Sequence, residues 1–230
     1  MCSGASSSSD PTPYSVQFRD DEAQKDFSEN FCRRGIHSKR HVVLSDFSDT
    51  DLPTVIHSRG WESLCDISVT YPSMIILDFY SNMHEINTLV PHFFSHVRGM
   101  HMVVTLEIVF EVLHIPRVAH PNYLCYGHLR KMSKDELSFH FCETHSSWGD
   151  RQNTPCSSFA KGLKFLNMVM TFVIHPLSHY NSIIEPRSRF LLSLLEDIYI
   201  DFLSHFILSF IDVYRDTVTH DKLIFPSTIT

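Results

Sequence analysis

The chain has 230 residues, 43% of them hydrophobic, with 18 Phe, 8 Tyr and 2 Trp, so it can bury one sizeable core. Its 19 Lys and Arg against 26 Asp and Glu give a formal net charge of -7, a field that repels a phosphate backbone and disfavours strong non-specific nucleic-acid binding. The six cysteines show no paired spacing, which predicts reduced thiols and therefore an intracellular protein, in the nucleus or the cytosol. No apolar run approaches the ~18 residues of a membrane span, which predicts a soluble protein.

Residues 1–50 are predicted to form a disordered polar tail, because Ser and charged residues dominate and apolar residues are mostly single. Within this tail, a basic cluster extends from Arg33 to His41 and has two interpretations. Such a cluster is typical of a nuclear-import or RNA-contacting patch. A solvated charge run is favoured here, because acidic residues at Asp20 to Glu22 and at Asp46 to Asp51 flank the cluster.

Ordered structure is expected from about Leu52, and its first clear helix follows Pro72, since a first helical turn tolerates proline. Apolar residues then recur at spacings of three and four, which places them on one helical face. These residues are Ile75, Ile76, Phe79, Tyr80 and Met83. The pattern predicts a helix that packs on a core.

A small β-hairpin is predicted next. From Pro91 two β-prone runs meet at Gly99, the residue there that adopts a positive φ without strain. Thr105 can then cap a further helix, which Pro116 ends. The apolar side of that helix is expected to hold Ile108, Val109, Val112 and Leu113.

Two further helices have clear local signals. Ser133 with Glu136 three residues later forms a capping-box pattern, and the helix that it starts is expected to run to about Glu143. The segment from Phe159 to Ile174 is apolar on nearly every side. Such a segment predicts a central helix.

The segment from Phe190 to Tyr214 is also predicted to be helical, with a narrow polar stripe at Asp197, Asp201, His205 and Asp212. A break is expected near Ile198 to Asp201, because β-branched residues weaken the helix there and Asp201 can cap a second one. The chain then ends in an apolar strand-like or loop segment, LIFPSTIT. The predicted fold class is therefore mainly α: a helical domain over residues 52–230 with a small β-hairpin, preceded by the disordered N-terminal tail.

Three segments carry a family resemblance: RGWESLCD from Arg59 to Asp66, YPSMIILDFYSNM from Tyr71 to Met83, and VRGMHMVVTLEIVFEVLHIP from Val97 to Pro116. In this order they resemble the plant-specific "putative plant transposon protein" domain, found among retroelement-derived reading frames. The resemblance covers about Val55 to Thr230. Domains of this family usually continue beyond such a last segment, which would make this chain a truncated copy. The family has no assigned active site, so the resemblance implies no catalytic residue.

The strongest candidate for a metal site is the set Cys125, His128, Cys142 and His145, whose paired spacing suits tetrahedral zinc. Chance pairing is favoured over this site, because the chain has 16 histidines and Cys142 and His145 fall at the end of a predicted helix. No metal site or cofactor is therefore predicted.

A nucleophilic site could combine Cys156 with His175 or His179 and an acid such as Asp150. No nucleophile elbow accompanies these residues, and no glycine-rich turn that could cradle a phosphate leads into a helix. The sequence therefore predicts no catalytic residue and no small-molecule ligand.

The chain has two tryptophans, Trp61 and Trp148, which the sequence places in different settings. Trp61 is interpreted as the lid of a local core in preference to an interface anchor. Trp148 falls in a predicted loop, where an exposed aromatic residue would be compatible with function.

The predicted function is that of a non-catalytic interaction or scaffold module of retroelement origin, Gag-like in role. Such a protein is expected to self-associate through the apolar faces of its long C-terminal helices. The alternative is a nucleic-acid-binding protein that uses the basic cluster from Arg33 to His41, and an uncharacterised hydrolase ranks third.

Overall fold

The structure, a computed structural model, describes residues 16–38, 41–66, 72–118, 131–142, 148, 153–155, 157, 159–171, 182–215 and 222–225. Its α-helices are α1 (Asp21–Asp26), α2 (Leu52–Ser58), α3 (Glu62–Cys65), α4 (Ser73–Ser81), α5 (Leu106–Leu113), α6 (Lys134–Phe141), α7 (Lys161–Val169), α8 (Glu185–Leu195) and α9 (Phe202–Arg215). A π-helical turn (Phe27–Phe31) continues α1, and a 3-10 turn (Leu44–Phe47) precedes α2. Within the described part of the chain, none of the helices combines the length and the apolar character that crossing a bilayer needs.

The strands form three small sheets in the described residues. The strands β2 (His84–Asn87), β3 (His92–Val97) and β4 (Met100–Val104) make an antiparallel sheet in that order. The strand β1 (Gly35–Ser38) pairs in parallel with β7 (Lys222–Phe225), and β5 (Asn153–Pro155) pairs antiparallel with β6 (Ser182–Ile184). The predicted fold class is confirmed: the chain is mainly helical with a small antiparallel sheet.

The centre of the core is a group of aromatic rings between α4, α9 and the three-stranded sheet. Phe79 meets Phe93 and Phe210 edge-on, with ring centroids 5.7 Å and 5.8 Å apart. Such edge-to-face pairs stabilise beyond the area that they bury. Helix α9 is buried on nearly every side, at Phe202, Leu203, Phe206, Ile207, Ser209, Phe210, Ile211 and Val213. The sequence analysis assigned self-association to the apolar faces of the C-terminal helices, but in α9 these apolar residues pack in the core of the chain itself.

Several local signals act as predicted. Ser133 and Glu136 form the reciprocal capping box of α6, and the Thr105 hydroxyl accepts a hydrogen bond from the Ile108 amide at 3.4 Å. Asp201 Oδ1 accepts from the Ser204 amide at 3.3 Å, at the break between α8 and α9. These contacts depend on residues only three apart, so the sequence pattern alone was sufficient to find them.

The N-terminal prediction needs a correction. Residues 1–15 lie outside the described residues, but the described residues 16–38 and 41–50 include helical turns, a strand and contacts with the core. Phe31 is 1% exposed and its ring lies 5.9 Å from that of Tyr80 and 5.8 Å from that of Tyr214. The Tyr214 hydroxyl donates to Asp26 at 3.1 Å. Apolar residues that are isolated in the sequence thus pack against residues of distant elements. A local count of hydrophobic residues cannot predict such contacts.

Two other predictions differ from the structure. Trp148 is 1% exposed, and its backbone amide donates to Asp135 at 2.7 Å, so it is a core residue and not an exposed aromatic. Helix α7 is buried on one face only, with Leu166 and Val169 inside and Lys164 exposed to solvent. Residues 172–174, the predicted end of that helix, lie outside the described residues.

Candidate functional site

An open cleft of about 660 Å³ lies where three connecting segments meet. Residues 57–61 include the end of α2 and its connection to α3, residues 116–118 follow α5, and the link from α8 to α9 contributes Asp197, Tyr199 and Ile200. Most of the lining is apolar. Tyr199 is 65% exposed beside the cleft. The RGWE and LHIP strings of the sequence, more than fifty residues apart, therefore help to form one surface.

Arg59 is a largely buried cation in the cleft wall, and its guanidinium is hydrogen-bonded within the protein. Its guanidinium donates to the backbone carbonyls of Ile198 at 3.0 Å, Leu194 at 3.2 Å and Ser193 at 3.5 Å. These carbonyls lie at or just beyond the C-terminus of α8, the end of a helix that favours a cation. Its ion pair with the exposed Asp197 adds little, because solvent screens it.

The Arg59 side chain is only 9% exposed, and burial lowers the pKa of its guanidinium. That guanidinium also lies 5.5 Å from the centre of the Trp61 ring, which in turn lies 5.0 Å from that of Phe202. Trp61 is buried, as predicted for the lid of a local core. The RGW string therefore connects the end of α2 to α8 and α9. Its main role is to stabilise the fold.

Gly60 also lines the cleft, where it packs closely against Pro116. Its φ is +64°, and a Cβ at this position would lie 2.9 Å from Pro116 Cδ. Only glycine combines that backbone conformation with so close an approach. The contact fixes the loop between α2 and α3 against the segment after α5.

His57 and Glu62 form an exposed pair at the rim, with Nδ1 and Oε1 2.6 Å apart. The hydrogen bond from His57 lowers the pKa of the Glu62 carboxyl. The two nearest hydroxyls do not extend the pair, because Ser58 donates to the Val55 carbonyl and Ser63 to the Leu113 carbonyl. Within the described part of the chain, the rim thus holds an acid and a base to which neither of these two hydroxyls donates.

A second polar feature is a group of histidines on the three-stranded sheet, one in each strand, which we call the histidine trio: His84, His96 and His101. Its ring centroids lie 4.9 Å apart for His96 and His101, 5.3 Å for His84 and His96, and 6.0 Å for His84 and His101. The pKa of His96 is lowered, mainly by burial and then by repulsion from the other two rings. The sequence analysis missed this group, although a two-residue turn at Arg98 and Gly99 places His96 opposite His101.

The metal and nucleophile candidates from the sequence fall largely outside the described residues. That holds for Cys125, His128 and His145, and likewise for Asp150, Cys156, His175 and His179. Cys142 is described, half-buried, with its Sγ 3.6 Å from the Ser138 hydroxyl. Among the residues that the structure describes, no group of three or more His, Cys, Asp or Glu side chains could hold a metal ion.

The basic cluster from Arg33 to His41 is partly built into the fold. Its centre is strand β1, and the Arg34 guanidinium donates to the Val213 carbonyl at 3.1 Å and lies 5.6 Å from the centre of the Phe31 ring. Arg33 is exposed, and residues 39 and 40 lie outside the described residues. At least one of its cations is therefore used to hold the N-terminal segment on α9.

Comparison with known proteins gives one match. A family model described as "Putative plant retrotransposon-related domain" matches residues 57–230, a range that includes every segment lining the cleft. This match confirms the resemblance to a plant transposon-derived domain. No curated protein and no solved structure matches the chain significantly.

Proposed function

The chain belongs to the plant retrotransposon-related domain family, and from this premise we propose that it is a non-catalytic, self-associating scaffold module, Gag-like in role, whose contact surface is the cleft and its rim. The observation that carries the proposal is an open, mostly apolar cleft with Tyr199 exposed beside it. Tyrosine is enriched at protein interfaces, where it supplies a large contact area with one polar atom.

The chemistry of the cleft supports binding in preference to catalysis. Arg59 donates to backbone carbonyls, and the hydroxyls of Ser58 and Ser63, beside the His57 and Glu62 pair, donate to backbone carbonyls as well. A catalytic arginine or serine needs donors or lone pairs that point at a substrate. The guanidinium of Arg59 and the hydroxyls of Ser58 and Ser63 form structural bonds instead.

Self-association through the cleft is favoured over association through α9. The apolar residues of α9 are buried within the chain, whereas Leu195 and Tyr199, on either side of the α8 C-terminus, are exposed. A second copy that places its own Tyr199 region on the cleft would form an isologous contact, in which each copy uses the same patch.

The test is the solution mass of the full chain, measured by size-exclusion chromatography with light scattering over a concentration series. We expect a reversible oligomer in the wild type and a dissociation constant raised at least about tenfold in Tyr199→Asp, because a carboxylate at an apolar contact must be desolvated. Phe139→Asp is the matched control, since Phe139 is an equally exposed aromatic residue, 68% exposed, on α6.

Two outcomes contradict the proposal. One is a monomer at all concentrations, which excludes self-association. The other is an oligomer that Tyr199→Asp leaves intact or that both variants weaken equally, which excludes the cleft as its contact surface. Far-ultraviolet circular dichroism of both variants establishes that each has kept its fold.

A further inference from the structure

The link between α8 and α9 presents two side chains to solvent from a fixed backbone. Ile198 and Ile200 are buried, at 5% and 3% exposure. Asp197 and Tyr199, which alternate with them, are exposed. The Ile198 amide donates to the Ser193 carbonyl at 2.9 Å, the hydrogen bond that ends a helix in a Schellman motif. Packing and hydrogen bonding therefore hold the link in place and orient Asp197 and Tyr199.

Asp197 has a backbone conformation that favours glycine. Its φ is +52°, at the position after the helix end where the Schellman motif most often has glycine. Aspartate tolerates this conformation better than most residues, but glycine adopts it at lower cost. The carboxylate contributes little to the fold in return, because it is 92% exposed and its ion pair with Arg59 is 3.4 Å long. The stability of the fold therefore does not explain the aspartate.

Arg117 is an exposed cation on another segment of the cleft lining, the one after α5. Its ion pair with Glu107 is 3.4 Å long, and both side chains are at least half exposed. Water screens such a pair, so the Arg117 guanidinium can bind another carboxylate at little cost. One patch thus has an exposed anion at Asp197 and an exposed cation at Arg117. An isologous contact needs this arrangement, because each position of the patch meets the other position on the second copy.

We propose that Asp197 of each copy pairs with Arg117 of the other copy when the chain self-associates through the cleft. This pairing rests on the proposed function and names the residues that select a second copy of the chain as the partner. The net charge of -7 makes two copies repel each other at long range. Two Asp197–Arg117 pairs oppose that repulsion at the contact, where exclusion of water strengthens them.

The test is charge reversal in the full chain, with masses measured by size-exclusion chromatography and light scattering. Arg117→Glu and Asp197→Arg should each raise the dissociation constant of self-association at least about tenfold, because each creates two like-charge pairs across the contact. An equal mixture of the two variants should associate at about the wild-type affinity, because both pairs are then opposite in charge. Lys164→Glu is the control for net charge, since Lys164 is exposed on α7.

Asp197→Gly separates the contact from the fold, because glycine suits the turn after α8. We expect this variant to unfold at the wild-type urea concentration or a higher one. Its dissociation constant of self-association should nevertheless rise at least about threefold, because two ion pairs are lost without a repulsion in their place.

Two results would overturn the pairing. One is a mixture of Arg117→Glu and Asp197→Arg that is as dissociated as either variant alone, and the other is wild-type self-association in Asp197→Gly. If Tyr199→Asp still weakens the oligomer in these cases, the proposed function stands and only the pairing is wrong. A wild type that is monomeric at all concentrations contradicts both.

Discussion

At the scale of single residues, His205 links stability to pH. It lies on α9 with its ring stacked on Phe190, at a centroid distance of 4.6 Å, and burial lowers its pKa from 6.5 to about 4. The folded state thus favours the neutral ring. The contribution of His205 is complete above pH 6.5 and is lost as pH falls from 6.5 towards 4, because the unfolded chain takes up the proton first.

The expected loss of unfolding free energy from this one group is on the order of 3 kcal/mol over that interval. In His205→Gln, which has no charge at any pH, urea unfolding midpoints measured from pH 8 to pH 4 should fall less steeply than in the wild type. His140→Gln, at an exposed position of α6, should keep the wild-type slope. Parallel curves for wild type and His205→Gln would show that the ring is not protonated on unfolding.

Substitution by alanine is expected to have opposite effects on stability at Gly60 and at Gly162. At Gly60, with φ +64° and Pro116 Cδ 2.9 Å from a built Cβ, alanine meets both a strained backbone and a clash. We expect Gly60→Ala to destabilise the chain by about 1–3 kcal/mol. At Gly162, inside α7, a Cβ meets nothing within 4 Å, and Gly162→Ala should stabilise by about 0.5–1 kcal/mol.

Urea unfolding of both glycine variants, followed by circular dichroism, measures these changes in one assay. The pair controls for any general effect of an added methyl group. Equal and small changes at both sites would mean that the loop between α2 and α3 is not held against Pro116, and the described shape of the cleft would then be wrong.

At the scale of elements, the sequence predicted best those features whose cause is local. The capping box of Ser133 and Glu136 and the cap at Asp201 depend on neighbours three residues away, and the hairpin turn depends on Arg98 and Gly99, both with positive φ. The β-hairpin forms with a two-residue turn because such φ values match the twist of the strands. Each of these could be predicted from a short window of sequence.

Features that depend on distant partners could not be predicted in this way. Strand β1 is a short run in a polar context, and it pairs with β7, which follows it by more than 180 residues. Trp148 is buried although its neighbours in sequence are polar. The cleft and the histidine trio both arise where separate elements meet. Hydrophobic periodicity describes one element at a time, so it contains no information about which separate elements contact each other.

At the scale of the whole molecule, the N-terminal segment closes the fold against its C-terminal part. Strand β1 pairs with β7, Arg34 donates to the Val213 carbonyl, and the Tyr214 hydroxyl donates to Asp26. Asn82 adds a second attachment, since its side chain accepts from the Arg19 amide at 2.7 Å and donates to the Gln17 carbonyl at 2.8 Å. Residues 16–38 are thus held on α4 and α9, although all of them precede the matched family range.

Removal of residues 1–50 should therefore destabilise the domain instead of trimming a tail. The loss includes the buried Phe31 ring, and truncation of such a phenylalanine alone costs about 3–5 kcal/mol. We expect residues 51–230 to unfold at a clearly lower urea concentration than the full chain, and Phe31→Ala in the full chain to account for much of the difference. Phe139→Ala, at an exposed position, is the control and should unfold like the wild type. Equal midpoints for the full chain and residues 51–230 would mean that the contacts of Phe31, β1 and Asn82 contribute nothing to stability, and that the domain folds within the matched range alone.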